Sequence, residues 1–243
     1  MKRFIPAAIF GIAFGFLEAI VVVYLRAIYY PNGFRFPLSL LDPQMLKVEI
    51  VREICTIIML ASIGWILGKT KGERFSFFIF VFGVWDIFYY VALKLFLDWP
   101  QSISEWDVLF LIPITWIGPV LAPVICLIGM ILIALIYVYL QEKNFQIKFN
   151  AIQIILITLG VFIIIYTFIY DFLNLFNEHN FWSYFPNITE KKEFWDVIQS
   201  YVPQKFNWLL FFVGCLLVGA NYLYSFLKAK SKNQLINFTS KLS

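Results

Sequence analysis

Long apolar stretches separated by short polar connections dominate the chain. Apolar runs lie near 4–30, 47–68, 75–97, 120–140, 151–173 and 206–227. Each reaches the roughly 20 residues that a helix rising about 1.5 Å per residue needs to cross about 30 Å of hydrocarbon. The pattern therefore predicts an all-α, polytopic membrane protein: one integral membrane domain of about six transmembrane helices, followed by a basic tail at 228–243.

The stretch from Val108 to Leu140 breaks the rhythm. As one helix it would measure about 50 Å, and fitting that into a bilayer needs a tilt beyond the usual range of about 0–40°. Pro113, Gly118, Pro119 and Pro123 supply break points. The expectation is a short helix or re-entrant segment at 108–117, with the fourth span beginning after it. Irregular backbone at that depth is tolerated only where protein or a water-filled cavity satisfies its polar groups.

The chain opens Met1-Lys2-Arg3 and stays apolar to about Tyr30. That run exceeds the 7–15 residues of a signal-peptide core, and no convincing cleavage site interrupts it, so it is read as a retained first span. In the long connection 174–205, which contains Trp182, Phe185, Phe194 and Trp195, an interfacial amphipathic helix is expected around 190–201. Ala7, Gly11, Gly15 and Ala19 recur every fourth residue, as do Gly64 and Gly68, which suits close helix packing. No internal repeat or low-complexity tract is evident.

Composition supports this class. Hydrophobic residues make up 61% of the 243, charged ones 14%, and aromatics 20%; mean hydropathy is +0.80. The bilayer is the expected partner. The net charge of +4 accompanies no basic patch interleaved with aromatics outside the spans, so nucleic acid is not expected. With the N-terminus inside, the inside connections carry 11 Lys and Arg and the outside ones 4, which places both termini in the cytoplasm. Cys55, Cys126 and Cys215 fall in apolar runs without a C-x-x-C pair and read as small buried hydrophobes. A single histidine, His179, cannot build a multi-histidine metal or haem site, and the sequence leaves the cofactor unknown. Asn187-Ile188-Thr189 forms a glycosylation sequon, relevant only in a host that uses it.

Candidate chemistry lies in ionisable residues within spans. These are costly in hydrocarbon and must face the bundle interior, a partner or water. The first span holds Glu18 and Arg26, the second Glu49, Arg52 and Glu53, the third Asp86 and Lys94. Glu49, Arg52 and Glu53 share one helix face, as do Asp86, Tyr89 and Tyr90; Glu18 and Tyr29 also align. Asp98, Trp99, Trp106 and Asp107 precede the fourth span, then Trp116. Together they predict a polar hollow walled by aromatics, opening outward. Four acids (Glu18, Glu49, Glu53, Asp86) face three bases (Arg26, Arg52, Lys94), a nearly balanced set, with Arg52 as its hub. Glu18 and Asp86 lie nearest the bilayer midplane.

Phosphate-loop, zinc-protease and nucleophile-elbow motifs do not occur, and the run Phe82–Tyr90 (FGVWDIFYY) carries no recognised activity. Three functions fit: binding or transport of a small polar or amphipathic solute, an intramembrane enzyme acting on a lipid-linked substrate, or a scaffold whose ion pairs serve only packing. The implied partners are a small-molecule or lipid ligand and a second copy or another subunit.

Overall fold

The structure, a computed structural model, describes residues 1–39, 42–112, 114–183, 188 and 191–239, with side chains as far as 231. Pro113, Phe185, Asn187, Thr189, Lys241 and the side chain of Lys232 lie outside the described residues. The elements run α1 (Phe4–Tyr29), α2 (Pro43–Leu67), α3 (Lys71–Leu97), β1 (Trp106–Phe110), β2 (Trp116–Pro119), α4 (Leu121–Glu142), α5 (Ala151–Glu178), α6 (Lys192–Ser200) and α7 (Trp208–Thr239). Among the described residues six helices are long and apolar enough to cross a membrane. The protein is an all-α multi-pass membrane bundle with one short hairpin inserted before its fourth long helix.

Several helices start earlier or end later than hydropathy alone suggests, because capping residues rather than apolar ones set their ends. α2 begins at Pro43, whose ring fits the first turn. α3 begins at Lys71, where the Thr70 hydroxyl accepts from the Glu73 N–H at 3.2 Å. α5 opens on a reciprocal box: Gln153 N–H donates to Asn150 at 2.8 Å, and Asn150 N–H donates back to Gln153 at 3.0 Å. α7 continues as helix through most of the expected tail.

α3 is the central helix. The core of its span is 61% buried, against 22–28% for the other five, and α1, α2 and α4 all pack on it. α5 and α7 form a second pair, joined to the first group through α4 and β2. Ala7, Gly11, Gly15 and Ala19 are all buried. At Gly15 a Cβ would come within 2.4 Å of the Trp85 carbonyl, so α1 lies almost against the α3 backbone. Gly64 does the same for α2, where a Cβ would stand 2.7 Å from the Arg74 carbonyl.

The expected short helix at 108–117 is instead an antiparallel β-hairpin. Trp106 pairs with Pro119, Asp107 with Gly118, Val108 with Ile117 and Phe110 with Trp116, with an irregularity between Val108 and Phe110. A non-helical backbone needs its N–H and C=O groups satisfied; two short strands satisfy part of each other. The hairpin leads directly into α4, since Val120 N–H donates to the Glu105 carbonyl at 2.9 Å and Leu121 N–H to that of Ile103 at 2.8 Å. Pro123 falls in the first turn of α4, where a missing N–H costs nothing.

At the opposite end an ionic clamp ties the chain's start to the α2–α3 turn and the end of α4. Arg3 donates to Glu73 at 2.6 Å and to the Leu67 carbonyl at 2.8 Å, and the amino terminus pairs with Glu142. The bond to Glu73 is the main reason the Arg3 guanidinium holds its proton more tightly than usual. The amphipathic helix expected near 190–201 is α6. Phe194 packs with Phe172 and Phe176 of α5, and Tyr201 donates to Asp171 at 2.5 Å. Burial first, then that bond, pushes the Tyr201 phenol well up.

Candidate functional site

Glu18, Glu53 and Asp86 each lie within two residues of the midpoint of α1, α2 and α3 respectively. The close approach at Gly15 sets Glu18 against the face of α3 that carries Asp86 and Tyr90. On α2 the 3–4 spacing continues past the acids, so Glu49, Glu53, Thr56 and Leu60 form one buried stripe.

Arg52 joins two helices. Its Nε donates to Glu49 Oε2 at 2.9 Å and its Nη2 lies 2.7 Å from the same oxygen. Its Nη1 pairs with Glu18 across the α1–α2 gap. The Thr56 hydroxyl donates to the second Glu18 oxygen at 3.4 Å. Glu53 points toward the hairpin, where both of its oxygens accept from the Leu111 N–H, at 3.1 and 3.0 Å. The carboxylate thereby satisfies a backbone donor just beyond β1.

A second pair sits beside the first. Asp107, 2% exposed on β1, accepts from Tyr90 Oη at 3.1 Å and from Arg26 Nη2 at 3.5 Å. The Arg26 guanidinium lies 3.8 Å from the Trp99 ring centre and 4.3 Å from that of Phe34, an arrangement that stabilises a cation away from water. Its Nη1 is buried without an acceptor among the described residues. Asp86 is half-buried and, among the described residues, takes neither hydrogen bond nor ion pair.

Two of the expected residues stand apart. Lys94 points away from the cluster to the rim, 2.7 Å from Asp98, and donates to the carbonyls of Asp98 at 3.4 Å and Pro100 at 3.1 Å. Gln101, and then Lys94, hold the exposed Asp98 carboxyl below the usual range. Trp116 on β2 stacks on Phe168 of α5 at 6.2 Å and tilts against Phe110 at 5.9 Å, where it packs the hairpin onto the second helix pair. With Lys94 gone and Asp107 included, the near balance expected of the cluster does not hold. Five carboxylates (Glu18, Glu49, Glu53, Asp86, Asp107) share two guanidiniums (Arg26, Arg52).

These groups line two adjoining cavities. The inner one, about 80 Å³, is bounded by Glu18, Arg52, Glu53, Asp86, Tyr90 and Asp107, with Trp85 and Thr56 among its other walls. The second, about 220 Å³, shares Val22, Arg52, Glu53, Tyr89, Asp107 and Val108 with the first. It extends past Tyr29 and Glu49 to an apolar end walled by Leu46 of α2, Phe172 of α5, and Phe194, Trp195 and Ile198 of α6. Thr56 and Trp85 were not singled out from the sequence. Thr56 continues the Glu49–Glu53 stripe by three residues, a signal that was present.

No family model matches the chain, and neither a curated protein nor a solved structure matches it. The fold defines an integral membrane protein, and its long helices enclose a charged cleft.

Proposed function

We propose that the protein binds an amphipathic small molecule or lipid in this cleft, for recognition or transport. The supporting observation is the polarity gradient of the joined cavities: ionisable groups at mid-helix at one end, aromatic and aliphatic walls at the other. Ligand sites commonly combine apolar walls with a few convergent polar groups, and charge inside a membrane is by default a functional feature. The apolar end lies between α2 and the α5–α6 unit. α2 packs chiefly on α3, while α5 packs on α7 and β2, so this gap is the natural route of entry. The excess of Lys and Arg on the connections at the termini end supports an orientation with both termini cytoplasmic and the cleft served from the outer side.

Native mass spectrometry of protein released from lipid membranes tests this. The expected result is a stoichiometric bound amphiphile, lost when Ile198→Trp fills the apolar end. A protein that carries no such species from any lipid mixture, or one whose bound species ignores Ile198→Trp, would overturn the proposal. A second reading, an enzyme on a lipid-linked substrate, draws on Asp86, a carboxyl with no hydrogen bond or ion pair among the described residues and able to exchange a proton. Turnover of the bound amphiphile, abolished by Asp86→Asn, would separate it from binding alone.

A further inference from the structure

Resting on the binding reading, we infer that the polar end of the ligand is a protonated amine. The charge arrangement carries this. Arg52 is engaged by Glu18 and Glu49, and Arg26 by Asp107. Glu53 lies in the field of the already engaged Arg52 and among the described residues accepts only from a backbone N–H, and Asp86 accepts from none of them. Two carboxyls therefore face the inner cavity without an ion pair among the described residues, five carboxylates sharing two guanidiniums, at the depth where an uncompensated charge is most expensive. A cation that arrives there cancels charge that the protein leaves open. An anionic head would add a sixth negative group, and a neutral one would leave the imbalance in place.

Three further features select an organic ammonium. Among the described residues no three His, Cys, Asp or Glu side chains converge as a metal site requires. The walls beside Asp86 are aromatic, formed by Trp85, Tyr89 and Tyr90, and ring faces attract ammonium groups. A water molecule needs about 10–15 Å³ of such volume, so 80 Å³ admits a head of several heavy atoms. The Trp85 indole supplies a complementary donor. It is only 5% exposed and lines the same cavity, and its Nε1 is buried without an acceptor among the described residues. An oxygen next to the amine, as in an amino alcohol, would meet it. The ligand class is thus a single- or double-chain amphiphile with an amine, its chain running along Leu46, Phe194 and Ile198.

Protein in nanodiscs of phosphatidylcholine, titrated with octylamine, 1-octanol and octanoate at neutral pH, tests this. Tryptophan quenching is read after subtraction of partition into empty discs. Octylamine should bind at least about ten-fold more tightly than 1-octanol, a difference of about 1.4 kcal/mol, and octanoate more weakly still. Asp86→Asn should abolish the preference, and because Asp86 holds no hydrogen bond or ion pair among the described residues that variant keeps its fold. Glu53→Gln should reduce the preference, whereas Asp98→Asn, at the exposed rim, should leave it intact. Saturable binding of all three probes with equal affinity, or a preference surviving Asp86→Asn, overturns the amine assignment but leaves the binding reading standing. No saturable binding of any probe defeats both.

Discussion

Replacing Arg52 with alanine strands two carboxylates at once. Glu18 is 7% exposed and Glu49 5%, and both lose their cation. Breaking a buried ion pair by removing one partner costs about 3–5 kcal/mol. The Arg52 side chain is itself 24% exposed, toward the cavity, which points to the lower end, about 3 kcal/mol. For chains of this length 1 kcal/mol moves the melting temperature by about 2–4 °C, so the expected drop is about 6–12 °C. Lys94→Ala is the matched control. Its pair with Asp98 is 47% and 75% exposed, a class worth about 0–1 kcal/mol. Tryptophan-monitored melts of detergent-purified protein supply the measurement. Adding Glu18→Gln to Arg52→Ala should recover part of the loss, because one of the two stranded charges is then gone. An Arg52→Ala protein that melts with the unaltered one, or no lower than Lys94→Ala, would refute the idea that Arg52 holds α1 to α2.

Gly15→Ala should destabilise by about 1–3 kcal/mol through overpacking, since the added carbon meets the Trp85 backbone carbonyl rather than a movable side chain; a melt unchanged by the substitution would contradict the close α1–α3 contact. The thiols of Cys126 on α4 and Cys215 on α7 meet within one packed cluster. Mild copper-catalysed oxidation should therefore join them, giving a faster-migrating species on non-reducing gels that persists in Cys55→Ala and vanishes in Cys126→Ser; failure to form it would break the α4–α7 docking. Single cysteines placed at Lys69 and Ser102 in a cysteine-free background should be labelled by impermeant maleimide from the inside and outside respectively, and the reverse pattern would invert the proposed orientation.

The six long helices were legible because their signal is local: twenty apolar residues in a row have few other uses. The Glu49–Arg52–Glu53 face was legible for the same reason, since helical spacing fixes which side chains share a side. What escaped were features set by direction and partner. Lys94 matches Asp86 in segment but lies eight residues away, about 80° around the helix at 100° per residue, and so points to the rim. The hairpin escaped because an apolar run such as Val108–Ile112 is equally consistent with helix, and what decides is a pairing partner several residues on. Asp107 carried a faint mark of its true role: in Trp106–Phe110 it falls on the opposite side from Trp106, Val108 and Phe110 by strand alternation, the side where Arg26 and Tyr90 wait.

α1 and α2 leave the ribosome before the helix on which both lie. At about 5–20 residues per second, the 27 residues of α3 take roughly one to five seconds to emerge. During that interval each earlier helix carries mid-span charge that, inserted alone, costs a few kcal/mol at the membrane centre. The Arg52–Glu18 contact joins the only two long helices yet made. It lets them enter as a hairpin with Arg52, Glu18 and Glu49 already paired and wait, aligned, for α3 to arrive between Gly15 and Gly64.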